Sequence, residues 1–237
     1  MFLHNPNEIL TMEAPFIKIC GITNLEDALC AFKSGASAVG FNFYSGSKRY
    51  ITPRRAAEIS AKLSRSIARA GVFVNAARDE IDAVRSEMKL DVLQFHGDEA
   101  PEEIFPKGFP TGYDIPVVKA VHIATAEQLL LLSRYSVDAF LLDSFSPNEF
   151  GGTGKTFDWA IAREAKNFGK IILSGGLTPG NVEEAIAFVQ PFGVDVSSGV
   201  EFSPGIKDHG KIRDFVRNAQ RGFEAMKNHR TSIPLQS

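Results

Sequence analysis

The stretch FIKICGITNLEDALCAFKSGASAVGFNF, residues 16–43, holds one complete unit of the fold and the start of the next. Phe16 to Cys20 is a short apolar, β-branched run. Thr23 then stands three residues before Glu26, the spacing of a capping box, and Leu25, Ala28, Leu29 and Phe32 recur at helical spacing until Gly35 stops the helix. Residues 38–43 open a second apolar run. Strand, helix and strand in this order make the repeat of a parallel sheet. Working outward, the same alternation places strands at 69–74, 91–96, 116–121, 138–143, 170–175 and 193–198, eight in all. Nearly all are apolar on both faces, which suits strands covered by helices outside and by a barrel core inside. Helices are expected at 53–64, opened by Pro53, and at 77–88, 125–133, 157–166, 179–188 and 208–226. Between His96 and Pro116, Pro101, Pro106, Gly108, Pro110 and Gly112 predict one short helix and a long irregular connection.

Eight such units, without a polar edge strand or a glycine-rich turn after the first strand, favour closure over a doubly wound open sheet. The expected fold is α/β, a single-domain (β/α)8 TIM barrel over residues 15–227, with a frayed extension at 1–14 and a tail at 228–237. Met12 offers a second start for the same barrel.

A net charge of -2 with mixed signs gives no basic field for nucleic acid, so an anionic ligand must be held by a few local groups. No apolar run approaches the roughly 20 residues of a membrane span and no signal peptide is read, so a cytoplasmic protein, monomer or homodimer, with a small-molecule partner is expected. Cys20 and Cys30 lie ten residues apart with no ligand-spaced His or Cys, which argues against a disulfide framework and against a metal. Cys30, beside the apolar stripe of the first helix, reads as packing.

In a barrel the site lies at the C-terminal ends of the strands. Cys20 ends the first strand, His96 the fourth and Asp143 the sixth; Asp195 lies in the eighth, and Arg49 follows the second in Ser47-Lys48-Arg49-Tyr50. Position alone leaves Cys20 open between a small buried hydrophobe and a reactive thiol. Asp143, leaving the apolar run Phe140-Leu141-Leu142, needs a partner or a task. Ser174-Gly175-Gly176-Leu177 and Ser197-Ser198-Gly199-Val200 follow strands seven and eight, the two loops of the recurrent barrel phosphate site. Gly175, Gly176, Ser197, Ser198 and Gly199 let backbone N–H groups approach an anion, with a short helix after strand eight aiming its positive end there. Gly151-Gly152-Thr153-Gly154-Lys155-Thr156 imitates a P-loop, but Glu149 stands where the motif needs glycine, so a mobile loop closing over substrate is the better reading.

With these residues placed, the chain resembles the phosphoribosylanthranilate isomerase family from about Phe16 to Phe223. The resemblance is carried by Lys18-Ile19-Cys20-Gly21-Ile22-Thr23, Val39-Gly40-Phe41, Ser47-Lys48-Arg49-Tyr50, Gly71-Val72-Phe73-Val74-Asn75, Gln94-Phe95-His96-Gly97, Leu141-Leu142-Asp143, Gly151-Gly152-Thr153-Gly154, Leu173-Ser174-Gly175-Gly176-Leu177 and Asp195-Val196-Ser197-Ser198-Gly199-Val200-Glu201. It implies an Amadori rearrangement of N-(5′-phosphoribosyl)anthranilate in tryptophan biosynthesis, without a cofactor. It also implies Cys20 as general base, Asp143 as general acid, Arg49 as clamp on the anthranilate carboxylate and the last two loops as phosphate grip. His96 and Asp195 rank behind these on the substrate side, the histidine to orient neighbours and the aspartate to brace the phosphate loop or meet a ribose hydroxyl.

The chemistry suits these groups: an acid opens the furanose ring to a Schiff base, a base removes the acidified C2′ proton, and the protonated imine is its own electron sink. Free Asp titrates near 3.9 and Cys near 8.5, so the site is expected to raise Asp143 by apolar surroundings, while Lys18 or the substrate-bound site helps form the Cys20 thiolate. Lys18 is itself expected on the opposite side of its strand from Cys20 unless the strand end twists. The competing readings are other phosphosugar barrels, namely an indole-glycerol-phosphate synthase, which wants paired lysines, or a histidine-pathway isomerase, which wants Asp in place of Cys20. A catalytically silent phosphate-binding barrel is a third.

Overall fold

The computed structural model describes residues 10, 15–105, 113–143 and 159–231. Eight parallel strands, β1 (Phe16–Cys20), β2 (Ala38–Asn42), β3 (Ala68–Phe73), β4 (Val92–Phe95), β5 (Val117–Val121), β6 (Ala139–Leu142), β7 (Ile171–Leu173) and β8 (Gly193–Val196), close in sequence order into a barrel, β8 pairing back onto β1. Outside it run α1 (Leu25–Ser34), α2 (Pro53–Ser60), α3 (Arg78–Glu87), α4 (Pro101–Ile104), α5 (Trp159–Ala165), α6 (Val182–Val189) and α7 (His209–Thr231). The TIM barrel expected from the repeat is the fold observed. No helix among the described residues is long and apolar enough to cross a membrane.

Two-residue alternation sorts each strand. Phe16, Ala38, Ala68, Ala70, Val92, Val118, Ala120, Ala139, Leu141 and Ile172 form one buried cluster in the lumen, and Leu10 joins it. The alternate residues, among them Ile17, Ile19, Val39, Phe41, Leu93 and Phe140, face the helices in a second, larger core. Counting on in twos from the inner set brings Lys18 and Cys20, Gln94 and His96, and Asp143 to the lumen toward the C-terminal strand ends. The lower lumen is therefore sealed by apolar side chains and the upper lumen is polar.

Several boundaries differ from the sequence reading. Asn24, not Thr23, caps α1: its side chain accepts from the Asp27 N–H at 2.8 Å, while Thr23 Oγ1 donates to the Gly205 carbonyl at 2.5 Å. Either side chain suits an N-cap, and a tertiary partner claimed the threonine. Gly35 ends the helix in the left-handed conformation, φ 93°, as expected. Residues 126–134 coil as a 3-10 helix, in which Leu129 and Leu132, three apart, fall on the same buried side while Leu130 and Leu131 are exposed. Strand seven ends at Leu173, so Ser174 and Gly175 already belong to the loop. A small hairpin, β9 (Glu201–Ser203) and β10 (Ile206–Lys207), follows β8 where no strand was expected.

Candidate active site

The mouth of the barrel is organised around Lys18. It lies two residues before Cys20, and on a strand that spacing means the same face, so the expectation that it turns away is corrected. Its ammonium is buried and meets Asp195 Oδ2 and Gln94 Oε1, each at 2.9 Å, on the same face of the strand as the Cys20 thiol. Burial works against its charge, but Asp195 and Cys20 together outweigh that and hold its pKa above the ordinary lysine value. Gly40 on β2 makes the room: a Cβ there would lie 2.8 Å from Cys20 Sγ and 3.0 Å from Lys18 Cε.

Cys20 departs from the expectation in sign. Burial pushes its thiol above the ordinary range, and Lys18 and Lys207 only partly offset this, while Asp195 adds to the rise. Burial thus outweighs the neighbouring cations, and Asp195, which binds Lys18, works in the same direction as burial.

Asp143 follows β6. His96, one residue past β4, places Nε2 3.2 Å from Asp143 Oδ2, and the exposed His122 places Nδ1 3.1 Å from the Asp143 carbonyl oxygen. His96 Nδ1 in turn lies 2.9 Å from Gln94 Nε2. His96 thus bridges Gln94 and Asp143. Asp195 is buried rather than displayed, one oxygen on Lys18 and Oδ1 without a hydrogen-bond partner among the described residues.

Arg49 sits on the loop after β2. Its Nε and Nη2 donate to the two Glu201 oxygens at 2.7 and 2.6 Å, a fork that fixes the guanidinium plane. Glu201 therefore occupies the Nε–Nη2 edge of the guanidinium. Glu201 is buried; it also accepts from Lys207 Nζ at 2.9 Å and the Gly205 N–H at 3.2 Å. Burial alone raises its pKa, but Arg49 and Lys207 outweigh it and hold the carboxyl below the usual range.

The two expected phosphate loops adjoin. Gly175 and Gly176 are both left-handed, φ 68° and 66°, a pair of turns that only glycine takes without strain. Gly199 touches the other loop so closely that a Cβ would stand 1.9 Å from the Leu177 carbonyl oxygen. Ser197 Oγ is buried without a hydrogen-bond partner. The helix expected after β8 is only a three-residue 3-10 turn, Ser198–Val200. Its dipole is correspondingly small. The loop at residues 151–156 lies outside the described residues.

Cys30 packs against the outer core, Sγ 3.8 Å from the His209 carbonyl oxygen, matching its reading. Sequence reasoning gave no role to Gln94, Glu201 or Lys207. The signal for Gln94 was available: it sits two residues before His96 within an apolar strand, a buried polar position that needs partners. Lys119 and Glu99, a buried pair at 2.9 Å, were also missed; Glu99 accepts from the Asn75 and Gly97 N–H groups and braces the turn after β4.

A family model for N-(5'phosphoribosyl)anthranilate (PRA) isomerase matches residues 17–218. The N-(5'-phosphoribosyl)anthranilate isomerase of Geotalea uraniireducens is 49% identical over 204 residues, 86% of this chain and 98% of that protein. The crystal structure of phosphoribosyl anthranilate isomerase from Thermotoga maritima superposes with a TM-score of 0.78 at 45% identity, covering 88% of this chain and all, 100%, of that one. A structure of such an isomerase in complex with reduced 1-(o-carboxyphenylamino)-1-deoxyribulose 5-phosphate superposes with a TM-score of 0.75 at 42% identity, again over 88% and 100% of the two chains.

Proposed function

The chain belongs to the N-(5'-phosphoribosyl)anthranilate isomerase family, and from that premise we propose that Cys20 is the base and Asp143 the acid of its reaction. It is an aldose–ketose isomerase of tryptophan biosynthesis. Asp143 delivers its proton to the furanose ring oxygen as the C1′–O bond breaks and the anthranilate nitrogen lone pair forms the C1′=N bond. Cys20 then takes the C2′ proton, whose electron pair drains toward the protonated imine. The resulting enol tautomerises to the ketose, and no external electron sink is required.

Arg49 takes the anthranilate carboxylate on its Nη1–Nη2 edge, its plane preset by Glu201. Gly175, Gly176, Ser197, Ser198 and Gly199 take the phosphate. The observation that carries the reading is the placement of Cys20 and Asp143 at the same barrel mouth, on β1 and just beyond β6, with Lys18 on the face of Cys20 and His96 on Asp143. Loss of substrate fluorescence with freshly generated phosphoribosylanthranilate tests it. Cys20→Ser and Asp143→Asn should each lower kcat by about 100-fold or more, the usual scale for removing a general acid or base. Near-wild-type kcat in either variant would remove that residue from the mechanism.

A further inference from the structure

The polar lumen carries a directed chain. Lys18 Nζ donates to Gln94 Oε1, Gln94 Nε2 lies 2.9 Å from His96 Nδ1, and His96 Nε2 lies 3.2 Å from Asp143 Oδ2. An ammonium group only donates, so the Gln94 oxygen faces Lys18 and its NH2 faces His96. The amide therefore donates to Nδ1. A neutral imidazole that accepts at Nδ1 carries its proton on Nε2, which points at Asp143. Gln94 and Lys18 are both buried, at 2% and 1% exposure, so turning the amide over would press two donors together in a buried position.

The same polarity decides what the cluster of His96, His122 and Asp143 is. Their ligand atoms lie within 4.8 Å of one another, close enough to suggest a cation site. A metal needs the Nε2 lone pair, however, and the Gln94 amide forces a proton onto that atom. His96 is thereby a hydrogen-bond donor to the carboxyl.

We propose that Lys18 and Gln94 are positioning residues for the acid step: they lock His96 in its Nε2–H tautomer, so that Asp143 accepts at Oδ2 and carries its transferable proton on Oδ1. This rests on the reading of Asp143 as the acid. When Oδ1 releases its proton to the ring oxygen, the His96 N–H already in place stabilises the carboxylate that remains, with no reorganisation. Because Lys18 also shares its face of β1 with Cys20 and lowers that thiol's pKa, one buried cation acts on both arms of the acid–base pair.

Long-range proton–nitrogen correlation spectra of the wild-type protein, with His96 assigned by His96→Asn, read the tautomer directly. Nε2–H at neutral pH supports the proposal; Nδ1–H, or an imidazolium, overturns it. Gln94→Glu puts an acceptor at both ends of the side chain and should switch His96 to Nδ1–H; an unchanged tautomer there overturns it too. Gln94→Leu keeps the volume and should lower kcat by about 10- to 100-fold with KM within about twofold, the scale of losing an orienting partner. A folded Gln94→Leu with wild-type kcat overturns the proposal. Should that variant fail to fold, the two tautomer measurements decide. Asp143→Asn separates the layers: if it is inactive while Gln94→Leu is fully active, only the positioning role falls. If Asp143→Asn stays active, the acid reading falls and takes this inference with it.

Discussion

Lys18 and Asp195 are partners in the parallel ladder where β8 closes onto β1, and their side chains meet at 2.9 Å inside the lumen. The seam of the barrel is thus also the place where its buried charge is balanced. The arrangement costs desolvation of two ions, and it is retained with one Asp195 oxygen still unpartnered. In return it supplies a fixed cation within reach of Cys20 and Gln94, which an apolar pair of the same volume would not.

Replacing Lys18 by Met should therefore destabilise the fold by about 3–5 kcal/mol, because it leaves the Asp195 carboxylate buried without its counter-ion. Adding Asp195→Asn should recover part of that loss. Urea titration of the three variants against wild type measures both steps; additive losses would mean that the two side chains do not depend on each other.

The raised thiol of Cys20 gives the pH dependence a definite sign. A pKa above the ordinary value of about 8.5 leaves the base mostly protonated at neutral pH, so kcat/KM, which reports the free enzyme, should climb with pH through and beyond that value. Alkylation of Cys20 in a Cys30→Ser background should follow the same curve, and Lys18→Met should move it further alkaline. An alkylation rate that is flat between pH 7 and about 9 would show a thiolate already formed, contrary to the burial argument.

The barrel was legible in the sequence because its signal is repeated: each strand reads as an apolar run and each helix as a stripe, so one misplaced cap at Thr23 changes nothing. The strand-end positions of Cys20, Asp143 and Arg49 followed from that repeat. What did not follow were pairings between side chains far apart in sequence. Arg49 and Glu201 are 152 residues apart, and Lys18 and Gln94 are 76 apart. Nothing local marks such partners. Alternation alone does say that Lys18 shares a face with Cys20, and Gln94 with His96, so the inward direction of both was available even though their partners were not. The thiol's shift was illegible for a further reason: its sign depends on burial outweighing a cation that Asp195 also binds.

Glu201 is held below the usual carboxylate range by Arg49 and Lys207 against the effect of burial. A depressed carboxyl contributes stability that is fully present above its unfolded value of about 4.3 and is lost as pH falls through the lower folded value. Glu201→Gln should thus cost about 3 kcal/mol at neutral pH, by leaving a buried lysine and Arg49 unpaired, and the difference from wild type should narrow below about pH 4. It should also raise KM, since Arg49 loses the fork that sets its plane. Thermal melts across pH 3–7 check the first part; a difference that stays constant on acidification would locate the stabilisation elsewhere.

The phosphate reading is tested best by two glycines that fail for different reasons. At Gly199 an added Cβ would lie 1.9 Å from the Leu177 carbonyl oxygen and 3.0 Å from its carbon, both backbone atoms that no rotamer change can move. Gly199→Ala must therefore force apart the loops after β7 and β8. At Gly176 the same methyl meets nothing within 4 Å, and the cost is only that of a left-handed alanine at φ 66°, about 1–2 kcal/mol. Gly199→Ala should raise KM and weaken competition by inorganic phosphate by about tenfold or more, the scale of a 1 Å misplacement. Gly176→Ala should mainly lower the melting temperature. If the two variants lose phosphate affinity equally, the separation between the loops does not control the anion site, and the grip must lie in the local conformation of the Gly175–Gly176 turn instead.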